Sequence, residues 1–541
     1  MSKASEELRG ESMSDLIKSS AFMALGTLLS RITGLVRGLL TVALLGTALL
    51  GDTYGVGNTA PNIIYNLLIG GALTAVFVPQ IVRSFRDADG GSGFVSRLIT
   101  LIGTLILAVT ILSMIFAPFL VSLYAPTFDG RAREITIAFT IYCLPQILFY
   151  GLFGVLGQVT NAKEKFGPMM WSPIANNIVV IALFAYFLSV TDDLSVGTIT
   201  DQQVLLLGIG TTLGIAIQAL ILIPYIKRSG LSLELKFDWR NSGLGKSLRL
   251  GSWTLLSVLI SQLGFLVTVN LATRSGLSAI NAGIDYGVGY TPYANAYLIL
   301  MLPHSIATIS IVTAILPKLS KLVLDEKRDE IRSEIKHALR LVAIISVPAA
   351  YIFFAFGTLI SKSLFFGIDD ASAEYLGKVL AGFAFGAIPL SMNLVGIRAL
   401  NAYENTKYQF VSTLVTNIVA VAASIIFFIF WRPEEVVIGL AIAFAISYWV
   451  GLFVTDALLA RFTGKLVLAK ELGFYLRVSI ASGVAVALVS LASRALGHTG
   501  NFIELLLVLT ATTILYLLIA KGLRVKEVSE TLTVVLRRSS K

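Results

Sequence analysis

Two arginines, Arg31 and Arg37, fall inside the first long apolar stretch of the chain, SSAFMALGTLLSRITGLVRGLLTVALLG, which runs from Ser19 to Gly46. A cationic side chain at the centre of a membrane helix costs roughly 2.5–3.5 kcal/mol on insertion scales, so each arginine needs water, a partner group or an anionic ligand. Six residues apart on a helix, they project about 120° from one another and lie about 9 Å apart along the axis. That spacing suits two contacts on one large anion, or one contact on an anion and one on a neighbouring helix. The other reading pins both arginines with carbonyls or a carboxylate inside the bundle.

Around this pair the sequence places uncharged polar groups at helical spacing. Asn58, Asn62, Asn66, Gly70 and Thr74 recur every four residues along the second apolar segment, with Tyr65 beside them, and amides there suit sugar hydroxyls, peptide groups or interhelical hydrogen bonds. Tyr286, Tyr290, Tyr293 and Tyr297 form a stripe that stacks on sugar rings or serves as an interfacial belt, and His304 follows Pro303 seven residues beyond Tyr297. His304 is read as a residue that titrates during transport, or as a cavity-lining or packed histidine. Asp52 and Asp285 open the second and eighth helices and are candidate gate or coupling groups, with simple helix caps as the alternative. GLGKS at Gly243–Ser247 lacks the leading glycine of a phosphate-binding loop, since Arg240 stands there, so no nucleotide hydrolysis is inferred. His304, His337 and His498 show no paired metal spacing, and the single cysteine, Cys143, sits in an apolar segment as a packed thiol; no metal and no cofactor are expected.

The elements that position these groups must be membrane helices. Of 541 residues 56% are hydrophobic and 14% charged, and the mean hydropathy is +0.82, which defines an all-α polytopic membrane protein. Apolar runs long enough to cross a core about 30 Å thick number fourteen, starting near residues 18, 52, 94, 132, 168, 203, 246, 282, 334, 373, 407, 434, 470 and 501. The first is too long for a signal-peptide core and is expected to be retained. With the N-terminus in the cytoplasm, only Arg131, Arg133, Arg274, Lys362, Lys378, Arg432 and Arg494 fall on the opposite face and Arg31 and Arg37 lie within the membrane; every other Lys and Arg is cytoplasmic. The net charge of +10 is thereby a topological signal and an attraction to anionic lipid, with no nucleic acid implied.

The chain also repeats. Tyr54-Gly-Val-Gly recurs as Tyr286-Gly-Val-Gly, Thr74-Ala-Val-Phe-Val-Pro79 as Thr313-Ala-Ile-Leu-Pro317, and Asn161-Ala with Asn177 as Asn401-Ala with Asn417. Six helices separate equivalent positions, so the halves run parallel, related by a pseudo-two-fold axis along the membrane normal. The expected organisation is a cytoplasmic segment 1–17, an N-lobe 18–230 of six helices, a linker 231–245, a C-lobe 246–462 of six helices, two additional helices at 463–522 and a cytoplasmic tail 523–541.

SRITGLVRG, the acidic residue opening the second helix, TAPNIIYNLLIGGALTAVFVP and NAKEKFGPMMWSPIANN together resemble the MviN/MurJ family, proposed flippases for the peptidoglycan precursor lipid II. The resemblance covers essentially the whole chain. It implies the fold of the multidrug/oligosaccharidyl-lipid/polysaccharide (MOP) exporters, a cationic central cavity lined by the first two helices and the eighth, and a groove for the lipid tail on the last two. Arg31, Arg37 and Asp52 fall on family motif positions. Where many members carry further charges, this chain has Gly38, Tyr65-Asn66 and Leu298, so its cationic cluster is reduced to two. The substrate-binding set on this reading is Arg31, Arg37, Asn58, Asn62, Tyr65, Asn66, Tyr297 and His304.

The function this implies is transfer of a polyprenyl-diphosphate-linked glycan from the cytoplasmic to the outer leaflet of the bacterial inner membrane by alternating access. A driving force from the membrane potential or a monovalent ion is expected in the absence of a nucleotide site. The partners implied are the lipid-linked substrate, membrane lipids and the cell-wall synthesis or division machinery. The competing readings are a polysaccharide-lipid or drug exporter of the same superfamily, and a membrane-embedded glycosyltransferase or polymerase. The second of these needs a catalytic carboxylate in a large outer loop, whereas Asp129, Asp192, Asp193, Asp369 and Asp370 sit in short ones.

Overall fold

The computed structural model describes residues 3–68, 78–163, 165, 167–238, 252–464, 468–496 and 502–530. Gly70, Thr74, the GLGKS run and His498 lie outside them. Among the described residues every regular element is helical, and the chain divides into two compact units, one of residues 1–45 and 53–258, the other of residues 46–52 and 259–541.

The first unit contains α1 (Lys3–Leu45), most of α2 (Leu49–Leu68), α3 (Val78–Ser84), α4 (Ser92–Ile115), α5 (Ala117–Tyr124), α6 (Gly130–Cys143), α7 (Gln146–Ala162), α8 (Gly167–Val190), α9 (Asp201–Leu220) and α10 (Leu222–Arg228). Helix ends follow local chemistry. Thr200 accepts from the Gln203 amide while the Gln203 side chain returns to the Thr200 amide, a capping box that starts α9. Pro145 separates α6 from α7, because it has no N–H to continue the ladder. The core between α3, α4, α7 and α10 is built from Ile81, Val95, Leu98, Ile102, Ile147, Val155 and Leu222.

The second unit holds α11 (Ser252–Asn281) from Leu259 onward, α12 (Tyr290–Pro303), a π-helical turn at His304–Thr308, α13 (Ile309–Leu324), α14 (Arg328–Leu364), α15 (Asp370–Ala384), α16 (Ala387–Ala402), α17 (Thr406–Phe430), α18 (Pro433–Thr463), α19 (Leu468–Leu496) and α20 (Phe502–Gly522). Asp369 caps α15 by accepting from the Ser372 amide at 2.8 Å, and Asn405 caps α17 through the Tyr408 amide at 3.0 Å. α19 and α20 are fastened to α14: Arg340 bonds Glu471 at 2.6 Å and Glu527 at 2.7 Å, and the Tyr516 hydroxyl donates to the Ile344 carbonyl at 2.9 Å.

Twelve helices among the described residues are long and apolar enough to cross a membrane, and α15 with α16, bent by 43°, adds a thirteenth as one broken span. The second of the fourteen expected spans is described as α2 up to Leu68, and residues 69–77 lie outside the described set. The repeat is visible in packing inside each unit. A side chain added at Gly34 would meet the amide of Asn177, and one added at Gly264 would overlap the amide of Asn417, the asparagine paired with Asn177 in the sequence repeat.

Several boundaries differ from the sequence expectation: α1 is helical from Lys3, through the segment expected to precede it, α14 begins at Arg328 instead of about residue 334, and two further differences bear on the site. α2 begins at Leu49, so Asp52 lies within its first turn, with its N–H already bonded to the Ala48 carbonyl at 3.1 Å. The eighth span begins at Tyr290, eight residues later than expected, and Asp285 lies in the loop before it. The glycines explain the delay. A Cβ at Gly287 would overlap Thr47 and one at Gly289, whose φ is +149°, would overlap the Asp52 carboxylate, so this segment runs extended against residues 47–52 and cannot yet coil.

Candidate functional site: a fixed arginine and a capped helix

In the first unit Arg37 is half-buried and Arg31 exposed, both on α1. No carboxylate among the described residues forms an ion pair with either. The Arg37 guanidinium bonds the Tyr54 hydroxyl, and that hydroxyl also lies 3.0 Å from Thr211 Oγ1. Tyr54 is itself held edge-on by Phe139 and Phe184, with ring centroids 5.3 and 5.8 Å away. Arg37 is therefore oriented by a neutral chain that leaves its charge uncompensated. α1 is placed for this by α8: Asn177 Nδ2 donates to the Ser30 carbonyl at 3.1 Å and to Thr33 Oγ1 at 2.9 Å, while Phe22 stacks on Trp171 at 4.8 Å.

The amides of α2 continue the polar surface. Gln146 Nε2 donates to Asn58 Oδ1 at 3.3 Å, Asn66 Nδ2 donates to Asn62 Oδ1 at 2.6 Å, and the Tyr150 hydroxyl bonds Asn62. Tyr65 packs on Tyr150, with centroids 5.6 Å apart. Asn62 is exposed, whereas Gln146 is buried and its Oε1 has no hydrogen-bond partner. Tyr54, Gln146 and Tyr150 were missed in the sequence. A spacing test on α2 alone cannot show which residues of α7 face it, although a glutamine directly after Pro145 in an apolar run is a usable signal.

In the second unit Asp52 is 1% exposed and caps a helix other than its own. Its Oδ2 accepts from the Tyr290 amide at 3.0 Å, and its Oδ1 accepts from the Thr291 amide and from Thr291 Oγ1, both at 2.7 Å. These are first-turn N–H groups of α12, which have no partner within the helix, and the helix dipole adds to the attraction. Asp285 takes no part. It is exposed in the loop, so the expected equivalence of the two aspartates fails: Tyr54-Gly-Val-Gly is helical whereas Tyr286-Gly-Val-Gly is extended.

The tyrosine stripe packs inward. Tyr290 meets Phe265, Tyr293 meets Phe383, the half-buried Tyr286 meets Tyr375 at 5.3 Å, and the half-buried Tyr297 lies between Phe383 at 5.9 Å and Phe444 at 5.7 Å, so each ring of the stripe packs on at least one aromatic neighbour. His304 is buried with Nδ1 2.9 Å from Ser391 Oγ, in the π-helical turn that follows Pro303. It lines a cavity of about 200 Å³ with Ser261, Asn393, Thr413, Asn417 and Tyr448. On α19 the small residues are turned inward: Ser482 and Ala485 are buried, and Gly483 faces Tyr351. The exposed stripe of that helix is Leu472, Leu476, Ile480, Val484, Leu488 and Leu491. Cys143 is buried, and no group of three metal-binding side chains occurs among the described residues.

The family model "Lipid II flippase MurJ" matches residues 41–517. A probable lipid II flippase MurJ of Haemophilus influenzae is 28% identical over 492 residues, which cover 85% of this chain and 90% of the relative. Another, of Thermotoga maritima, is 25% identical over 537 residues, covering 98% of this chain and the whole of the relative. Among solved structures, a lipid II flippase MurJ in an inward closed conformation superposes with a TM-score of 0.73 at 19% identity, over 92% of this chain and 97% of that one. An inward-facing multidrug resistance MATE transporter of the MOP superfamily superposes with a TM-score of 0.63 at 15% identity, over 82% of this chain and 98% of that one. The two structures share the fold, and the match to the family model over most of the sequence decides between them. This multi-pass membrane protein belongs to the MurJ family of lipid II flippases.

Proposed function

We propose that this chain carries lipid II, a polyprenyl-diphosphate-linked peptidoglycan precursor, from the cytoplasmic to the outer leaflet by alternating access. The observation that carries this reading is Arg37, which bonds the Tyr54 hydroxyl, itself held by Thr211, and has no acidic partner among the described residues. A guanidinium positioned by neutral groups keeps its charge and most of its donor fork for an anion, and a diphosphate matches that fork. Arg31 is the second, less constrained contact, and Asn62 and Asn66 offer amides to the sugars. The physical problem is desolvation, because unpaired polar groups in hydrocarbon cost several kcal/mol each. An exporter of soluble drugs would share the fold but has no need for a phosphate-sized cationic pair.

The remaining parts of the reading follow from this one. The termini are cytoplasmic, the driving force is the membrane potential or a monovalent ion, and cell-wall synthesis enzymes consume the product. α19 and α20 carry the polyprenyl tail along the exposed stripe from Leu472 to Leu491. Asp52 acts as a gate, because its three bonds hold the first turn of α2 on the start of α12 and can be broken without unfolding either helix. Membership of a flippase family supports reading the chain as a carrier rather than an enzyme. The deciding experiment is depletion in the native host followed by enzymatic probing of lipid II sidedness in spheroplasts. Accumulation on the cytoplasmic face supports the reading; normal sidedness with loss of another exported glycan overturns it.

A further inference from the structure

The membrane span α11 carries one charged side chain, Arg274. It is half-buried, its Nε is buried with no hydrogen-bond partner, and no carboxylate among the described residues forms an ion pair with it. The acids beside this part of the helix are directed elsewhere. Ser275, the next residue, donates to the Pro433 carbonyl at the start of α18, yet neither Glu434 nor Glu435 pairs with the guanidinium. Gly276 faces Asp52, whose oxygens already accept from Tyr290 and Thr291. The helix cannot rotate to relieve the charge, because Val269, Ala272, Thr273, Ser275 and Ala279 are buried around it. A cation fixed in a membrane span with an orphaned buried donor calls for an anion.

The internal repeat gives this arginine a place. Gly34 of α1 faces Asn177 and Gly264 of α11 faces Asn417, so α1 and α11 are counterparts, each registered by its own glycine–asparagine contact. Arg37 follows the first glycine by three residues, and Arg274 follows the second by ten. The difference of seven residues is about 700°, within about 20° of two full turns, and about 10.5 Å of rise. Arg274 therefore projects from the same face as Val267, the residue equivalent to Arg37, but two turns further along its helix. In the proposed topology α11 runs outward, so the later position lies nearer the outer face.

We propose that Arg274 is a phosphate-binding residue of the second unit, contacting the phosphate group of a lipid through the guanidinium edge that contains the unpaired Nε. That edge offers two parallel N–H donors, which match two oxygens of one phosphate. The phosphate chemistry rests on the arginine itself. That the lipid is the carried diphosphate rests on the functional reading above, in which the headgroup moves outward past the level of Arg37 and meets Arg274 last, as an exit contact.

The test measures lipid binding to the purified full chain by native mass spectrometry, with three probes: undecaprenyl diphosphate, phosphatidylglycerol and a phosphate-free diacylglycerol. Arg274→Gln, which keeps length but removes charge, should weaken undecaprenyl diphosphate binding at least fivefold and leave diacylglycerol unchanged. Arg274→Lys should lose less than Arg274→Gln. Equal weakening of undecaprenyl diphosphate and phosphatidylglycerol retains the phosphate contact, assigns it to a bilayer lipid and overturns the exit role. Unchanged binding of both phosphate lipids in Arg274→Gln overturns the proposal. So does an equal loss of all three probes in the Gln and Lys variants together with a lowered melting temperature, which would mean a structural role. Arg37→Gln, measured in parallel, separates the two readings. Loss in Arg274→Gln beside unchanged binding in Arg37→Gln supports the contact at Arg274 and overturns the functional reading, whereas the reverse overturns this proposal alone.

Discussion

Replacing Asp52 with Asn tests whether the buried carboxylate holds residues 47–52, within the second unit, on the start of α12. The carboxylate accepts three hydrogen bonds through two oxygens, and the structure supplies only donors around it. An asparagine retains one acceptor and turns an N–H₂ group towards the Tyr290 amide, so one charge-assisted bond is lost and one buried donor is left facing another. Bonds to charged groups contribute about 1.5–3 kcal/mol and an orphaned buried donor costs about 1–3 kcal/mol, with local relaxation recovering part of the sum. A net loss of about 2–3 kcal/mol is expected, which at 1.4 kcal/mol per tenfold raises the undocked fraction about 30- to 150-fold. Thr47, 3% exposed and packed by Gly287, reports it: maleimide labelling of Thr47→Cys should be slow in the parent and at least tenfold faster with Asp52→Asn. Thr291→Val removes a single bond and should give a smaller rise. Unchanged labelling in Asp52→Asn, or a larger effect from Thr291→Val, would refute the docking role.

Gly289→Ala should mimic Asp52→Asn in the same labelling assay, because its Cβ collides with the carboxylate and its φ of +149° is strained for alanine, at a cost of about 1–3 kcal/mol. Arg37→Ala should abolish complementation of a depleted strain while the protein still purifies as a monodisperse species, and Arg37→Lys should rescue only in part, because an ammonium cannot reproduce a bidentate contact. Tyr54→Phe keeps the aromatic packing and frees Arg37, so it should weaken diphosphate-lipid binding by about three- to tenfold, with no further loss when combined with Arg37→Ala. Truncation after about residue 470 should leave a protein that inserts but does not transport, read by lipid II sidedness; growth at wild-type level would remove the tail role of α19 and α20.

The parts of this protein that were legible in its sequence are those in which one residue contradicts its surroundings. Arg31 and Arg37 are conspicuous because charge in an apolar run has a large cost, and that cost is visible without knowing any contact. The helices themselves are legible for the same reason, since each apolar run needs only its own length to declare a membrane span. What could not be read was pairing at long range. Asp52 looked like the cap of its own helix because caps are local, yet its partners lie 238 and 239 residues later, and Asp285, which precedes the other copy of the repeat, remains exposed in a loop. A tandem repeat predicts equal placement only where both copies meet equal neighbours, and the glycine run before Tyr290 packs against residues 47–52, an environment the first copy does not share. The tyrosine stripe shows a different limit: rings at helical spacing define a face but not what packs on it, and here Phe383 meets Tyr293 while Phe383 and Phe444 meet Tyr297. The serine and threonine ladder of α4 had a spacing of four from Ser92 to Thr104 that is plain in the sequence, but hydroxyls in a membrane helix ordinarily bond their own backbone, as Thr104 does with the Thr100 carbonyl at 2.7 Å. Only the alternating segment LSLELKFD, residues 231–238, whose Ser232, Glu234 and Lys236 amides donate to Ser92, Ser96 and Thr100, distinguishes the observed pairing from routine back-bonding. A period of two lying on a period of four is a pattern between elements, and no single-element test can detect it.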